Sequence, residues 1–448
     1  MREDPGEPVR DLRRRLLSVA NVAPGEGVLV VAGAGMFFFL FTGYFMLRPV
    51  RETMGIAGGI AKLQWLFTAT FIATLVALPL FGWIASRARR RRILPVAFTF
   101  FVANLLAFAV IFAHAPDDPW VARTFYVWLS VFNLIAISLA WSVLADLVPI
   151  SDSKRVFALI AAGASLGGLT GPVAGTLLVA RIGHDGLMVL ASSFLALSAL
   201  CSHLLQRWRD RRPLSQASVQ SRAVPLGGNP LAGATEVLRS PFLLLIALFV
   251  VLLAVVNTFL YFEQARLVAE TFPNRTRQTE VFGIIDTVVQ SATIIIQVAL
   301  TGRIARRFGI GVLLTGVPLI MAAGFLWLAV APVFAVLATI MIVRRVGEYA
   351  LVRPGREMLY TVLPAEEKYK AKNFIDTAIY RGGDAIGGWV KTALDGIAGN
   401  PALAMLIGTL VTLAWAASGL ALGRRQRNME DAEARVPQLD GYNVIASR

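Results

Sequence analysis

Twelve stretches of this 448-residue chain stay apolar for about 20 residues or more, the length a helix needs to cross a bilayer. In hydrocarbon every backbone polar group must bond within its own segment, so such runs have few options besides membrane helices. Six lie near 27–47, 64–86, 93–114, 119–146, 156–181 and 186–205. Six more lie near 241–270, 280–306, 310–331, 332–361, 370–398 and 401–422. The first is too long for a signal-peptide core and lacks a convincing cleavage site. Hydrophobic residues make up 56% of the chain and mean hydropathy is +0.65, a balance a soluble protein would not keep. The expected fold class is an all-α membrane protein with twelve transmembrane helices.

The runs fall into two sets of six, residues 27–205 and 241–422. Between them, 206–240 is polar and rich in Arg, Ser, Pro and Gly, as a cytoplasmic linker would be. Residues 1–26 and 423–448 read as cytoplasmic tails. Lys and Arg set the orientation. "DLRRRLL", "SRARRRR", "SDSKR", "RWRDRR", "RIARR", "EEKYKAK" and "GRRQR" all fall on one side, while "HAPDDP", "RIGHDG" and "AGNP" on the other side are poorer in cations, with "NRTRQTE" and "YFMLRPVRETMG" the exceptions. The expectation is a multi-pass protein of the cell (inner) membrane with both termini cytoplasmic, working as a monomer. On this reading the net charge of +15 reflects positive-inside bias and contact with an anionic bilayer, not nucleic acid. One cysteine, Cys201, and three scattered histidines, His114, His184 and His203, argue against a metal site. There is no GxSxG, HExxH or P-loop pattern, so no enzyme activity is expected, and a carrier needs no cofactor.

Ionisable groups at membrane depth are costly unless paired or hydrated, so each is a candidate for function. Arg344 and Arg345 lie about 12 residues into the tenth run, roughly 18 Å deep and too far from water to snorkel. Glu348 follows at helical spacing and can pair with either, leaving one positive charge in surplus. Arg353, Arg356 and Glu357 come later, as snorkelling side chains or an inner gate. The eleventh run carries Asn373, Asp376, Tyr380, Arg381, Asp384, Lys391 and Asp395. The eighth carries Asp286, Gln290, Thr293 and Gln297 along one face. Arg48, Arg51 and Glu52, around Pro49, read as the outer end of the first helix. Arg48 suits the mouth of an anion pathway, and Arg51 suits either that pathway or simple snorkelling. Gly163, Gly167, Gly171 and Gly175, four apart, point to close helix packing. The third, sixth, ninth and twelfth runs are nearly free of charge, as a lipid-facing outer layer would be.

Two resemblances sharpen this reading. "GWIASRARRRR" from Gly82 and "GRIARRFGIG" from Gly302 each follow the second helix of a half, 220 residues apart. Both resemble the loop signature of the major facilitator superfamily, with Ser86 and Arg306 in place of its acidic residue. That resemblance implies two parallel six-helix halves with the substrate site between them. Residues 356–384, "REMLYTVLPAEEKYKAKNFIDTAIYRGGD", resemble the helix 10–11 region of the ATP/ADP translocases of plastids and intracellular bacteria. Arg356, Glu357, Met358 and Tyr360 match its Lys-Glu-Met-Ala-Tyr run. Lys368, Lys370 and Lys372 match its lysine cluster, Ile375 and Asp376 its Ile-Asp pair, and Arg381 its later Arg. Asp146 and Lys154-Arg155-x-Phe157 resemble its helix 4–5 region. Pro364 and Asp384 depart from the pattern, and Arg356 replaces a lysine.

The resemblance implies an alternating-access exchanger of organic anions, most simply ATP and ADP. Arg48, Arg51, Arg344, Arg345, Arg356, Lys372 and Arg381 would bind substrate. Glu52, Asp146, Asp286, Gln290, Glu348, Glu357, Asp376 and Asp384 would gate or couple. The alternative is a proton-coupled major facilitator transporter of another small molecule, for which Asp286 and Glu263 are the candidate titrating acids.

Overall fold

The computed structural model describes residues 27–87, 90–145, 153–210, 233–398 and 401–445. Helix α1 spans Gly27–Ala57, α2 Leu63–Arg87, α3 Arg90–His114 and α4 Pro119–Ala145. The long element Ser153–Asp210 is two rods, α5 (153–182) and α6 (184–210), meeting at Gly183 with φ 70°. A positive φ strains any residue bearing a Cβ, so glycine marks the reversal. In the second half α7 spans Pro241–Thr271, α8 runs 275–308 and α9 310–330, with Gly309 at φ 74° between them. Helix α10 (334–359), α11 (365–398) and α12 (Pro401–Ile445) complete twelve rods among the described residues.

Eight helices are long and apolar enough to cross a membrane by composition. Two of these contain the paired rods just described. The remaining two rods, α10 and α11, are interrupted by π-turns and carry the charges singled out above.

Two boundaries differ from expectation. Helix α1 does not end near residue 47 but continues through Pro49 to Ala57. Proline forfeits one backbone bond, and a packed bundle tolerates that loss. Helix α12 runs on as a polar helix past residue 422, over the stretch expected to be a tail. Of the expected linker, 211–232 lies outside the described residues; 206–210 belongs to α6 and Ala234–Arg239 forms a short helix.

One apolar core draws its buried residues from Leu29 to Leu205, another from Val237 to Leu422. A smaller cluster, Leu63, Leu66, Tyr126, Phe262 and Ala265, joins the two at the end of the bundle that holds the 57–63 turn. Side-chain bonds close the same end. Thr53 Oγ1 lies 2.7 Å from Thr279 Oγ1, which lies 2.9 Å from His184 Nε2, and Arg275 pairs with Asp117 at 3.1 Å. Helices α3, α6, α9 and α12 direct side chains such as Phe100, Leu200, Trp327 and Leu410 outward. None of them lines the central cavity described next.

Candidate functional site

The N-terminal wall of the site is set by glycine. A Cβ on Gly163, Gly167 or Gly171 would lie 2.3, 2.3 and 2.7 Å from the carbonyl oxygens of Ala34, Phe38 and Thr42. Only glycine allows α5 to approach α1 this closely. Arg48 and Arg51 lie nine and six residues short of the end of α1, about 14 and 9 Å inside it. They are therefore not an outer mouth; they belong to the interior. Arg51 bonds Glu52 and donates to Ser130 at 3.3 Å, with its guanidinium 5.2 Å from the Tyr126 ring centroid. Arg48 comes within 3.7 Å of Asp286 on α8 in the other half.

The C-terminal wall is built on irregular helices. Single π-turns interrupt α8 at Gln297–Thr301, α10 at Glu348–Val352 and α11 at Ile375–Ile379. Such turns add a residue, release backbone groups and cluster at functional sites. Here the α8 turn caps the α10 turn: Gln297 Nε2 donates to the Tyr349 carbonyl at 3.0 Å and Thr301 Oγ1 to that of Ala350 at 2.7 Å. Glu348 accepts from Arg344 at 2.9 Å, and Arg344 also bonds Asn257. Arg345 does not pair with Glu348. It turns to Asp286 at 2.5 Å, and both are buried. The surplus charge expected from two arginines and one glutamate at 344–348 is thereby passed to Arg48, which shares Asp286 with Arg345. Toward the opposite end, Arg356 meets Asp376 at 2.9 Å and Lys372 meets Glu357 at 2.6 Å, while Arg381 meets Asp384 at 3.4 Å beside Tyr126 and Tyr261.

Three adjoining chambers of about 380, 170 and 500 Å³ occupy the space between the halves. The first is lined chiefly by α10 and α11, from Glu348 to Arg381. The second adds Arg48, Arg51, Tyr126, Asn257 and Arg344. The third is aromatic and amidic, with Phe41, Phe45, Trp141, Asn133, Gln290 and Gln297. Arg353 lines all three. It is solvent-accessible, stands 5.1 Å from the Tyr349 ring centroid, and makes no ion pair among the described residues.

Each of the seven expected binding cations faces an acid expected to gate or couple. Six of them, all but Arg345, line the chambers; Arg345, Asp286 and Glu52 stand behind the wall. Gln290 reaches across to the Gly168 carbonyl at 3.4 Å, and Asp146 lies outside the described residues. Counting Arg353, eight cations face six carboxylates: Glu52, Asp286, Glu348, Glu357, Asp376 and Asp384. Arg353 was grouped from sequence with the boundary charges. Its spacing of four residues from Tyr349, which lines two of the chambers, is the signal that places it there. Glu263, a candidate titrating acid, pairs with Arg266, so neither it nor Asp286 is isolated.

Comparison with known proteins agrees with this architecture. The chain is 25% identical to ADP,ATP carrier protein 1 of Chlamydia trachomatis, over 93% of this chain and 85% of that one. It is 26% identical to ADP,ATP carrier protein 1 of Chlamydia muridarum, over 68% of this chain and 65% of the relative. A bacterial homologue of the human lysosomal transporter Spinster, solved inward-facing and unoccupied, superposes with a TM-score of 0.58. That match covers 91% of this chain and 98% of the other at 13% identity, a likeness of fold alone. The family model of the Major Facilitator Superfamily matches residues 28–347, and with twelve rods around a charged central cavity the chain belongs to that superfamily of membrane transporters.

Proposed function

We propose that this transporter exchanges nucleotides of the ATP/ADP type across the cell membrane by alternating access. The observation that carries the reading is Arg353, an accessible cation with no ion pair among the described residues, where three chambers meet. A guanidinium so placed presents a fork that matches phosphate oxygens. Arg48, held only loosely by an acid it shares with Arg345, is the natural second contact. The adjoining chamber offers Phe45 and Trp141 for stacking and Asn133 for hydrogen bonding, a fit for a nucleobase. The likeness to chlamydial ADP,ATP carriers supports the same substrate class.

The halves 27–205 and 241–422 rock about this site, and the protein acts as a monomer with both termini cytoplasmic. In that orientation the end closed by Thr53, Thr279 and His184 faces outward, and the Arg356–Lys372 end faces the cytoplasm. Arg356–Asp376, Lys372–Glu357 and Arg381–Asp384 then serve as gate pairs that exchange partners as the cavity switches sides.

Thermal unfolding of the purified protein against ATP, ADP, AMP, adenosine and other phosphorylated or carboxylated anions tests the reading, since a bound ligand raises the midpoint. ATP and ADP should stabilise and adenosine should not. Stabilisation by none of the phosphorylated compounds, or equally by adenosine, would sink it.

A further inference from the structure

A separate groove of about 850 Å³ runs along the flank of the N-terminal half, between α2 and α4. Its bore is apolar: Ala69, Ala73 and Ala77 on α2 face Val127, Trp128 and Val131 on α4. One end is cationic and aromatic. Lys62 and Arg123 line it there, together with Trp65 and Trp120, which are 54% and 71% exposed. Tryptophans exposed at the ends of membrane helices sit at head-group level. Arg123 uses Nε on the Gly58 carbonyl at 2.7 Å, and its guanidinium carbon is 4.7 Å from the Trp120 ring centroid. Among the described residues its two terminal nitrogens have no hydrogen-bond partner, and neither Arg123 nor Lys62 pairs with a carboxylate. From Lys62 to Ala77 is about 22 Å of helix, close to one leaflet with its head groups.

A lipid-facing groove of leaflet depth, apolar along its bore and carrying two unpaired cations at head-group level, matches one ligand chemistry in length and charge. We propose that the groove binds one anionic phospholipid, with its phosphate on Lys62 and Arg123 and an acyl chain between α2 and α4. The lipid would touch Trp65, whose ring meets Trp389 of the other half at 4.9 Å, where Trp389 Nε1 also donates to Thr68 at 3.1 Å. The inference does not depend on what the central cavity carries.

Native mass spectrometry of the full chain, equilibrated with equimolar phosphatidylglycerol and phosphatidylcholine and then stripped in detergent, tests it. One retained phosphatidylglycerol is expected, favoured about tenfold or more over phosphatidylcholine, because each interfacial cation attracts anionic lipid. Lys62→Gln with Arg123→Gln should erase that preference. Ala73→Phe should reduce retention itself, and Ala69→Leu is the second filling variant should the first not elute as a single species. Equal retention of the two lipids, or unchanged retention when the groove is filled, would overturn the proposal. So would a rise in melting temperature with inorganic phosphate that is lost in the Lys62→Gln, Arg123→Gln variant, since the cations would then serve a soluble anion.

Discussion

On the N-terminal side of the cavity, α1 and α5 meet backbone to backbone over the glycines at 163, 167 and 171, and Arg48 and Arg51 project from that packed pair. On the C-terminal side, α8, α10 and α11 each lose regular helix for one π-turn, and Arg353 follows directly on the turn in α10. The first wall is a rigid frame that holds two cations in place. The second has backbone groups held by side chains such as Gln297 and Thr301, and so has contacts that can be exchanged. On the proposed exchange mechanism, the first wall would hold its cations fixed while contacts in the second change.

The largest expected effect lies in the movable wall. Arg345→Ala strands Asp286 in a buried setting and should cost about 3–5 kcal/mol, read as a fall in the thermal unfolding midpoint in detergent. Arg345→Met with Asp286→Leu should recover most of it. A single-variant loss under about 1 kcal/mol would mean that Arg48, at 3.7 Å, already satisfies the acid.

Arg353→Ala breaks no ion pair, so stability should hold while nucleotide affinity falls by about 1.5–3 kcal/mol, roughly ten- to a hundredfold. Titration calorimetry beside a melting curve separates the two. In the rigid wall, Gly167→Leu should destabilise by about 1–3 kcal/mol through its clash with the Phe38 carbonyl. Gly316→Leu, where nothing lies within 4 Å, should change stability by only about 0.5 kcal/mol or less. Equal losses at both positions would mean that the α1–α5 contact is no tighter than the outer layer of the bundle. The smallest effect on binding is expected at Asn133→Ala, about 1 kcal/mol, seen as weaker discrimination between purine and pyrimidine nucleotides in competition binding.

Much of this was readable before the structure. Bilayer thickness dictates helix length, so most rods fell close to their apolar runs, with α1 and α12 the exceptions. Residues too deep to snorkel, such as Arg344, had to be paired or hydrated. Partner choice was not readable, because Arg345 lies near Glu348 along the helix yet meets Asp286 from another one. The end of α1 was misread for a related reason. Arg48, Arg51 and Glu52 look like a water boundary along the chain, but Asp286, Ser130 and Tyr126 from other helices hold them inside. Arg353 reads from sequence as a snorkelling side chain or part of an inner gate, because sequence shows its distance from the end of its helix and not the cavity beside it.

The central claim is nucleotide exchange anchored by the unpaired arginine. The most direct test is uptake of labelled ATP into proteoliposomes loaded with ADP, comparing the unaltered chain with Arg353→Ala. The account expects uptake that requires internal ADP, survives a protonophore, and drops about tenfold or more in the variant at subsaturating ATP. Uptake no greater than in empty liposomes, or uptake abolished by the protonophore and indifferent to internal ADP, would contradict it.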